Sequence, residues 1–193
     1  MRRPAPDVTL LLMFSVRIHG RGGQGVVTAA ELLSLAGFLE GRHAQAFPSF
    51  GSERTGAPVA AFCRIDDRPI RTREPVAAPD FVIVQDATLL GHVDVLAGLV
   101  PGGAVLVNAP APVDLPVDAV FVPATRLAMR HLGRPVPNAA LLGGFAAMTG
   151  LLSLASVQAA IGDRFPARVA EANAAAAAEA YAAIVEMGEV SHA

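Results

Sequence analysis

Residues 17–27, RIHGRGGQGVV, place four glycines and a glutamine between two apolar runs. Upstream, FSVRIH reads as a buried strand; downstream, residues 24–38 carry the apolar spacing of a helix that ends near Gly41. A glycine-rich turn between a strand and a helix lets backbone approach a neighbour where side chains would intrude. Gly20, Gly22 and Gly25 satisfy G-x-G-x-x-G at this junction, where the amides of a helix N-terminus can meet a phosphate. A dinucleotide-binding version needs an acidic residue at the end of the next strand, about twenty residues on, to hold a ribose. Glu40 has that separation but precedes Gly41, whereas the next predicted strand, RHAQAF, ends at Phe47-Pro48. NAD binding is disfavoured on that ground. Two readings of the glycines remain: close packing of helix on strand, or contact with an anion.

The rest of the chain continues the alternation. After RHAQAF comes a turn-rich loop, PSFGSERTGAPV, and then VAAFCRI and PIRTRE, which flank DDR and can close a hairpin. DFVIVQD, GGAVLVNA and DAVFVPA are short strands rich in β-branched residues, the first two separated by a helical stretch, ATLLGHVDVLAGL. Strands alternating with helices predict an α/β fold with a mostly parallel sheet and helices on both faces. The tail, RVAEANAAAAAEAYAAIVEMGEV, is an alanine-rich helix whose bias reflects helix propensity. At 193 residues one domain is expected, spanning residues 13–193. Met13 offers an alternative start, which would make residues 1–12 an N-terminal extension.

Composition removes several function classes. The 15 positive charges are all arginine, so a P-loop and Schiff-base chemistry are excluded. Cys63 is the sole cysteine, which leaves neither an internal disulfide nor a ligand set for an iron-sulfur cluster. A net charge of -2 with mixed signs gives no electrostatic case for a nucleic-acid or anionic-membrane partner. The opening MRRPAPDVTLLLMFSV superficially suggests a signal peptide, but Asp7 interrupts the lead-in and no small-residue cleavage site follows. Residues 135–162 lack lysine, arginine and glutamate and carry one aspartate-free apolar run after another, yet Gly143, Gly144 and Gly150 break them and Ser153 reads as a helix N-cap. Two short buried helices are predicted there rather than a membrane span, and an uncharged surface of that size would need cover from another subunit. With no span and no leader, a cytoplasmic location is expected.

The loop FPSFGSERTGAP sets Glu53 and Arg54 among turn formers, where an ion pair or a fork-shaped arginine contact can be held. Taken in order, GRGGQGVVTAAELL, FPSFGSERTGAP, DFVIVQDATLL, AVLVNA and PNAALLGG resemble the gamma subunit of the pyruvate/2-oxoacid:ferredoxin oxidoreductase family, an internal domain in its single-chain members. The resemblance runs from about Phe14 to the alanine-rich tail. It implies a Rossmann-like subunit of a coenzyme A-dependent complex that oxidatively decarboxylates a 2-oxoacid, such as pyruvate or an aryl glyoxylate, to an acyl-CoA. Thiamine diphosphate, Mg²⁺ and 4Fe-4S clusters would sit on partners: alpha and beta subunits for the thiamine cofactor, a ferredoxin-like delta subunit for the clusters. Gamma subunits carry none of these, and here Gly162-Asp163 is followed by Arg164, not by a thiamine diphosphate motif.

Gly20, Arg21, Gly22, Gly23, Gln24 and Gly25 match the family's glycine turn, and Ser52, Glu53, Arg54 and Gly56 match its second loop. Thr55 stands where a second basic residue is common in the family. The glycine turn is expected to meet a coenzyme A phosphate, with Arg21 as a mobile charge and Arg54 closing the other side; the competing reading is that the turn presses against another subunit or packs on its own strand. Asp86 and Asn108 lie at predicted strand ends, where ligand contact and a capping or turn role are both open. His19 and His43 flank the glycine region without a carboxylate partner visible in sequence, and Cys63 reads as a core residue. A stand-alone Rossmann-type nucleotide-binding oxidoreductase is the alternative function.

Overall fold

The computed structural model describes residues 13–49 and 55–191. Residues 1–12, and with them the proposed extension, lie outside the described residues, as do Ser52, Glu53 and Arg54. Six strands form one sheet: β1 (Phe14–Arg21), β2 (His43–Pro48), β3 (Pro58–Asp66), β4 (Phe81–Val84), β5 (Ala104–Asn108) and β6 (Ala119–Val122), in the order β2-β3-β1-β4-β5-β6. From β1 outward through β4, β5 and β6 every pairing is parallel, with Val16 opposite Phe81, Phe81 opposite Ala104 and Val105 opposite Ala119. On the other side β3 runs antiparallel to both β1 and β2, with Cys63 opposite Val16 and Ala46.

The period of two along each strand sorts residues between two unlike faces. Val16, Ile18, Ile65, Phe81, Ile83 and Leu106 point to one core, where all five α-helices pack: α1 (Val26–Leu39), α2 (Ala124–Leu132), α3 (Asn138–Thr149), α4 (Leu154–Arg164) and α5 (Ala167–Ser191). Phe145 of α3 meets Phe81 edge-on at 4.9 Å and Phe14 at 6.2 Å. Each such aromatic pair contributes about 0.5–1.5 kcal/mol beyond the area it buries.

Val82, Val84, Val105 and Val107 face the other way and are covered by Leu89 and Val95. The α-helix expected over ATLLGHVDVLAGL is not formed: only Ala87–Gly91 is helical, as one 3₁₀ turn, so the helical cover on this face is that turn and not an α-helix. Asp86 caps the turn by accepting from Thr88 N, and Gly98, at φ 70, lies where a Cβ would sit 2.0 Å from Ala77 O. Backbone contact that close leaves no room for a helix cylinder. The hairpin is also displaced. PIRTRE forms no strand, because both edges of β3 are already taken, and the antiparallel excursion is β2–β3, one strand earlier than expected.

The uncharged stretch becomes α3 and α4, as predicted. Gly150, at φ 58, ends α3 in the left-handed conformation that favours glycine, and Ser153 caps α4 through Ser156 N at 3.1 Å. Residues 138–146 of α3 are all buried by this chain's own sheet and helices, so the lack of charge there needs no partner subunit. For residues 138–146 that corrects the expectation of an exposed apolar surface over 135–162.

Candidate functional site

At the C-terminal edge of the parallel strands a cleft of about 890 Å³ opens, lined by Gly22, Gly23, Gln24, Asp86, Asn108 and Arg126 among others. Ligands of open α/β sheets bind at such an edge because loops and helix N-termini converge there. Three helices begin at this one: α1 after Gly25, α2 after Pro123 and α3 after Pro137. None has a side chain capping from its own N-cap residue, and none has an acidic residue in its first turn. Asn108, at the end of β5, takes one of α2's amides, Thr125 N, on its Oδ1 at 3.0 Å and donates to Thr125 Oγ1 and to Gln85 O.

Each glycine of the turn answers to a different pressure. A Cβ on Gly20 would lie 2.5 Å from Val26 Cγ2, so helix and strand are as close as a glycine allows. Gly25, at φ 72, would set its Cβ 2.6 Å from Asn138 Nδ2. Gly23, at φ 92, has nothing near and is glycine for conformation alone. Gly22 donates to Ala57 O at 2.9 Å and accepts from Gly56 N at 3.0 Å, which ties the turn to the second loop.

Arg21 is not the mobile charge expected. Its Nε donates to Asp86 Oδ2 at 3.1 Å, its other nitrogens to Gly56 O and Thr88 Oγ1 at 3.1 and 2.8 Å. Gln24 completes the knot, accepting from Arg21 N at 2.8 Å and donating to Asp86 Oδ2 at 3.0 Å. Burial pushes the Asp86 carboxyl up, but hydrogen bonds from Thr88 and Gln24 and the charge of Arg21 outweigh it and hold the group below the ordinary aspartate value. Arg21 and Asp86 therefore neutralise each other and shape the loop. A second knot lies deeper: Gln85 Nε2 donates to Asn138 Oδ1 at 3.1 Å, and Asn138 Nδ2 to Gly25 O at 2.9 Å. It binds β4, α3 and α1 together beneath the cleft.

The residue missed from sequence is Arg126. Its exposed side chain lines the cleft from the first turn of α2 and has no ion-pair partner among the described residues. Its signal was positional: an arginine just after Pro123, where a parallel strand hands over to a helix. His19 is elsewhere, buried on the opposite face of the sheet, where burial and the Arg17 charge outweigh Asp94 and lower its pKa to about 4. His43 starts β2, at the end of the sheet away from the cleft. Cys63 is fully buried in β3, and burial pushes its thiol up, away from reactivity. Among the described residues no group of three histidine, cysteine or carboxylate side chains is placed to hold a metal ion, and no helix is long and apolar enough to cross a membrane.

Residues 15–183 match the model of the pyruvate ferredoxin/flavodoxin oxidoreductase family. The chain belongs to that family. It is 50% identical over 170 residues to pyruvate synthase subunit PorC of Methanocaldococcus jannaschii, with 88% of this chain and 96% of the relative covered. To the pyruvate/ketoisovalerate oxidoreductases common subunit gamma of Thermococcus litoralis it is 48% identical over 177 residues, with the same coverage. Among solved structures, pyruvate oxidoreductase subunit PORC of Thermotoga maritima matches with a TM-score of 0.78 at 35% identity, covering 88% of this chain and 96% of that one. The chain is thus of the gamma-subunit type, and the Rossmann-like arrangement is common to both folds.

Proposed function

We infer that this gamma subunit works in a complex that oxidatively decarboxylates a 2-oxoacid to an acyl-CoA, and that its cleft holds the phosphates of coenzyme A. The observation that carries the reading is the convergence of three helix N-termini on one open cleft whose only described carboxylate, Asp86, is already committed to Arg21, Gln24 and Thr88. Each N-terminus carries roughly half a positive charge, so an anion entering the cleft meets partial charges of one sign. Arg126 adds a full charge on a side chain free to turn, and Gly23 leaves the backbone bare where the ligand would pass. Thr55, which lines the cleft and bridges to Gly22, directly follows Ser52, Glu53 and Arg54 in sequence. In this reading Arg54 closes the cleft over the ligand.

Thiamine diphosphate with Mg²⁺ and the 4Fe-4S clusters reside on the alpha, beta and delta partners, which supply decarboxylation and electron transfer. This chain's part is to bind and orient the thiol cosubstrate and to exclude water from its phosphates. Family membership favours this over a stand-alone nucleotide-binding oxidoreductase, as does the end of β2 at Phe47-Pro48, which offers no carboxylate for a ribose.

The test is steady-state kinetics of the assembled complex with coenzyme A varied. Arg126→Ala and Arg54→Ala should each raise the apparent KM for coenzyme A about tenfold, the loss of one charge-assisted hydrogen bond in a partly solvated site, with the complex still assembled. An unchanged KM in both variants would show that the cleft serves only assembly. The isolated chain should turn over no 2-oxoacid, and measurable activity without partners would contradict the division of labour.

A further inference from the structure

The segment 134–138 has two sides. Pro135 and Pro137 line the cleft, Arg134 and Asn138 line a separate cavity behind it, and Val136 touches both. That cavity, of about 400 Å³, is within the range that holds a small molecule. Its walls are apolar: Leu32 of α1, Leu132 at the end of α2, Phe165 before α5, and Val169 and Ala172 on α5.

Two guanidinium groups line the same cavity without a carboxylate. Neither Arg134 nor Arg168 has an ion-pair partner among the described residues, and Glu179 of α5 is already shared between Arg130 and His131. Arg168 also stands in the first turn of α5, where the helix dipole disfavours a cation, so helix stability does not account for it. His131 also lines the cavity, as does Asn173, 5% exposed. Its Nδ2 donates to Val169 O at 2.8 Å, and its Oδ1 has no partner among the described residues. A bare inorganic anion would leave the apolar walls unused, and a hydrocarbon would leave two exposed arginines and the carbonyl oxygen of Asn173 without a protein or ligand partner.

We propose that this cavity is a second small-molecule site, which takes a carboxylate carried on an apolar or aromatic body with a hydroxyl or amide donor beside it. The carboxylate lies between Arg134 and Arg168, the donor meets Asn173 Oδ1, and the body packs on Leu32 and Phe165. The site can be tested apart from the coenzyme A reading, because Arg126, Arg54 and the glycine turn are not among the residues that line it, and only the segment 136–138 adjoins both.

Three probes of one size separate the features: phenyllactate, phenylpropionate, which lacks the hydroxyl, and phenylpropanediol, which lacks the carboxylate. Titrated calorimetrically into the full chain, phenyllactate should bind, phenylpropionate several-fold more weakly, and the diol at least tenfold more weakly. The double variant Arg134→Ala/Arg168→Ala should weaken phenyllactate at least tenfold. Ala172→Phe, which fills the cavity without touching either charge, should abolish binding. Saturation by none of the three probes, diol binding equal to that of the acid, or full affinity in the double variant would overturn the proposal.

Discussion

Two ends of α1 treat helix termini in opposite ways. At its C-terminal end, Glu40 reaches over to the start of α4, where its carboxylate accepts from Ser153 N at 2.6 Å and from the Ser156 hydroxyl at 2.7 Å. Ser153 adds its own cap through Ser156 N, so that terminus is closed by a serine and a full negative charge. At the other end, about 21 Å away at 1.5 Å per residue over fourteen residues, α1 and α3 begin with glycine and proline and no carboxylate. The same chain therefore caps a helix where only stability is at stake and leaves the starts of α1 and α3 without a cap from their own N-cap side chains where a cleft opens. Bare amides cost stability, which is consistent with their being reserved for something that arrives from outside.

That contrast can be broken most severely at Gly25. Replacing it with alanine forces a side chain into left-handed backbone and against Asn138 Nδ2, and should cost the full chain about 3 kcal/mol by urea denaturation. A loss below about 1 kcal/mol would show that the knot of Gly25, Asn138 and Gln85 yields easily. Next in size is a crossed pair. Arg126→Ala should raise the apparent KM for coenzyme A about tenfold and leave stability within about 0.5 kcal/mol. Ser153→Ala should do the reverse, costing about 1 kcal/mol with no change in that KM. If both variants shifted both readouts, the two ends of α1 would not be separable.

Glu40 supplies a pH signature. Burial pushes its carboxyl up, but hydrogen bonds from the Ser153 amide and the Ser156 hydroxyl outweigh it, so the folded pKa lies below the ordinary glutamate value. A lowered carboxyl contributes stability that is fully present above the unfolded pKa and lost as pH falls through the folded one. Relative to Glu40→Gln, the native chain should be more stable at pH 7, and the gap should close below about pH 4.3. No gap at pH 7, or a gap that did not change with pH, would show that the charge of Glu40 contributes nothing. Gly23→Ala should cost no more than Ser153→Ala, about 1 kcal/mol, because no atom is within 4 Å and only left-handed strain remains.

Periodicity made the strands legible, because Val16, Ile18, Ile83 and Leu106 keep the period of two that buries one face. Ser153 was legible as a cap, and the breaks at Gly150 separated α3 from α4. What failed was decided at longer range. ATLLGHVDVLAGL has helical spacing, but Asp86 winds its start into a 3₁₀ turn and Gly98 must pass against Ala77 O. PIRTRE has strand-like residues, yet β1 and β2 occupy both edges of its expected partner. In the cleft, the turn glycines were readable from their spacing, whereas the capture of Arg21 depends on Asp86 and Thr88, more than sixty residues on. Arg126 escaped notice because no motif marks it; only the handover from β6 to α2 places it.

The alanines of the tail have a use that helix propensity does not cover. A Cβ on Gly143 would stand 2.0 Å from Ala177 O, and Ala176, Ala177 and Ala180 bury nothing larger than a methyl against α3. The seam between α3 and α5 is thus backbone against backbone, and its thickness cannot vary. α5 lines no part of the cleft, but α3 carries Asn138 at its first position, and Asn138 holds Gly25 and Gln85. The tail behaves as a spacer shim: by fixing how close α3 may come, it sets the gap between the beginnings of α3 and α1, so the width of the cleft's mouth is written in residues that never see it.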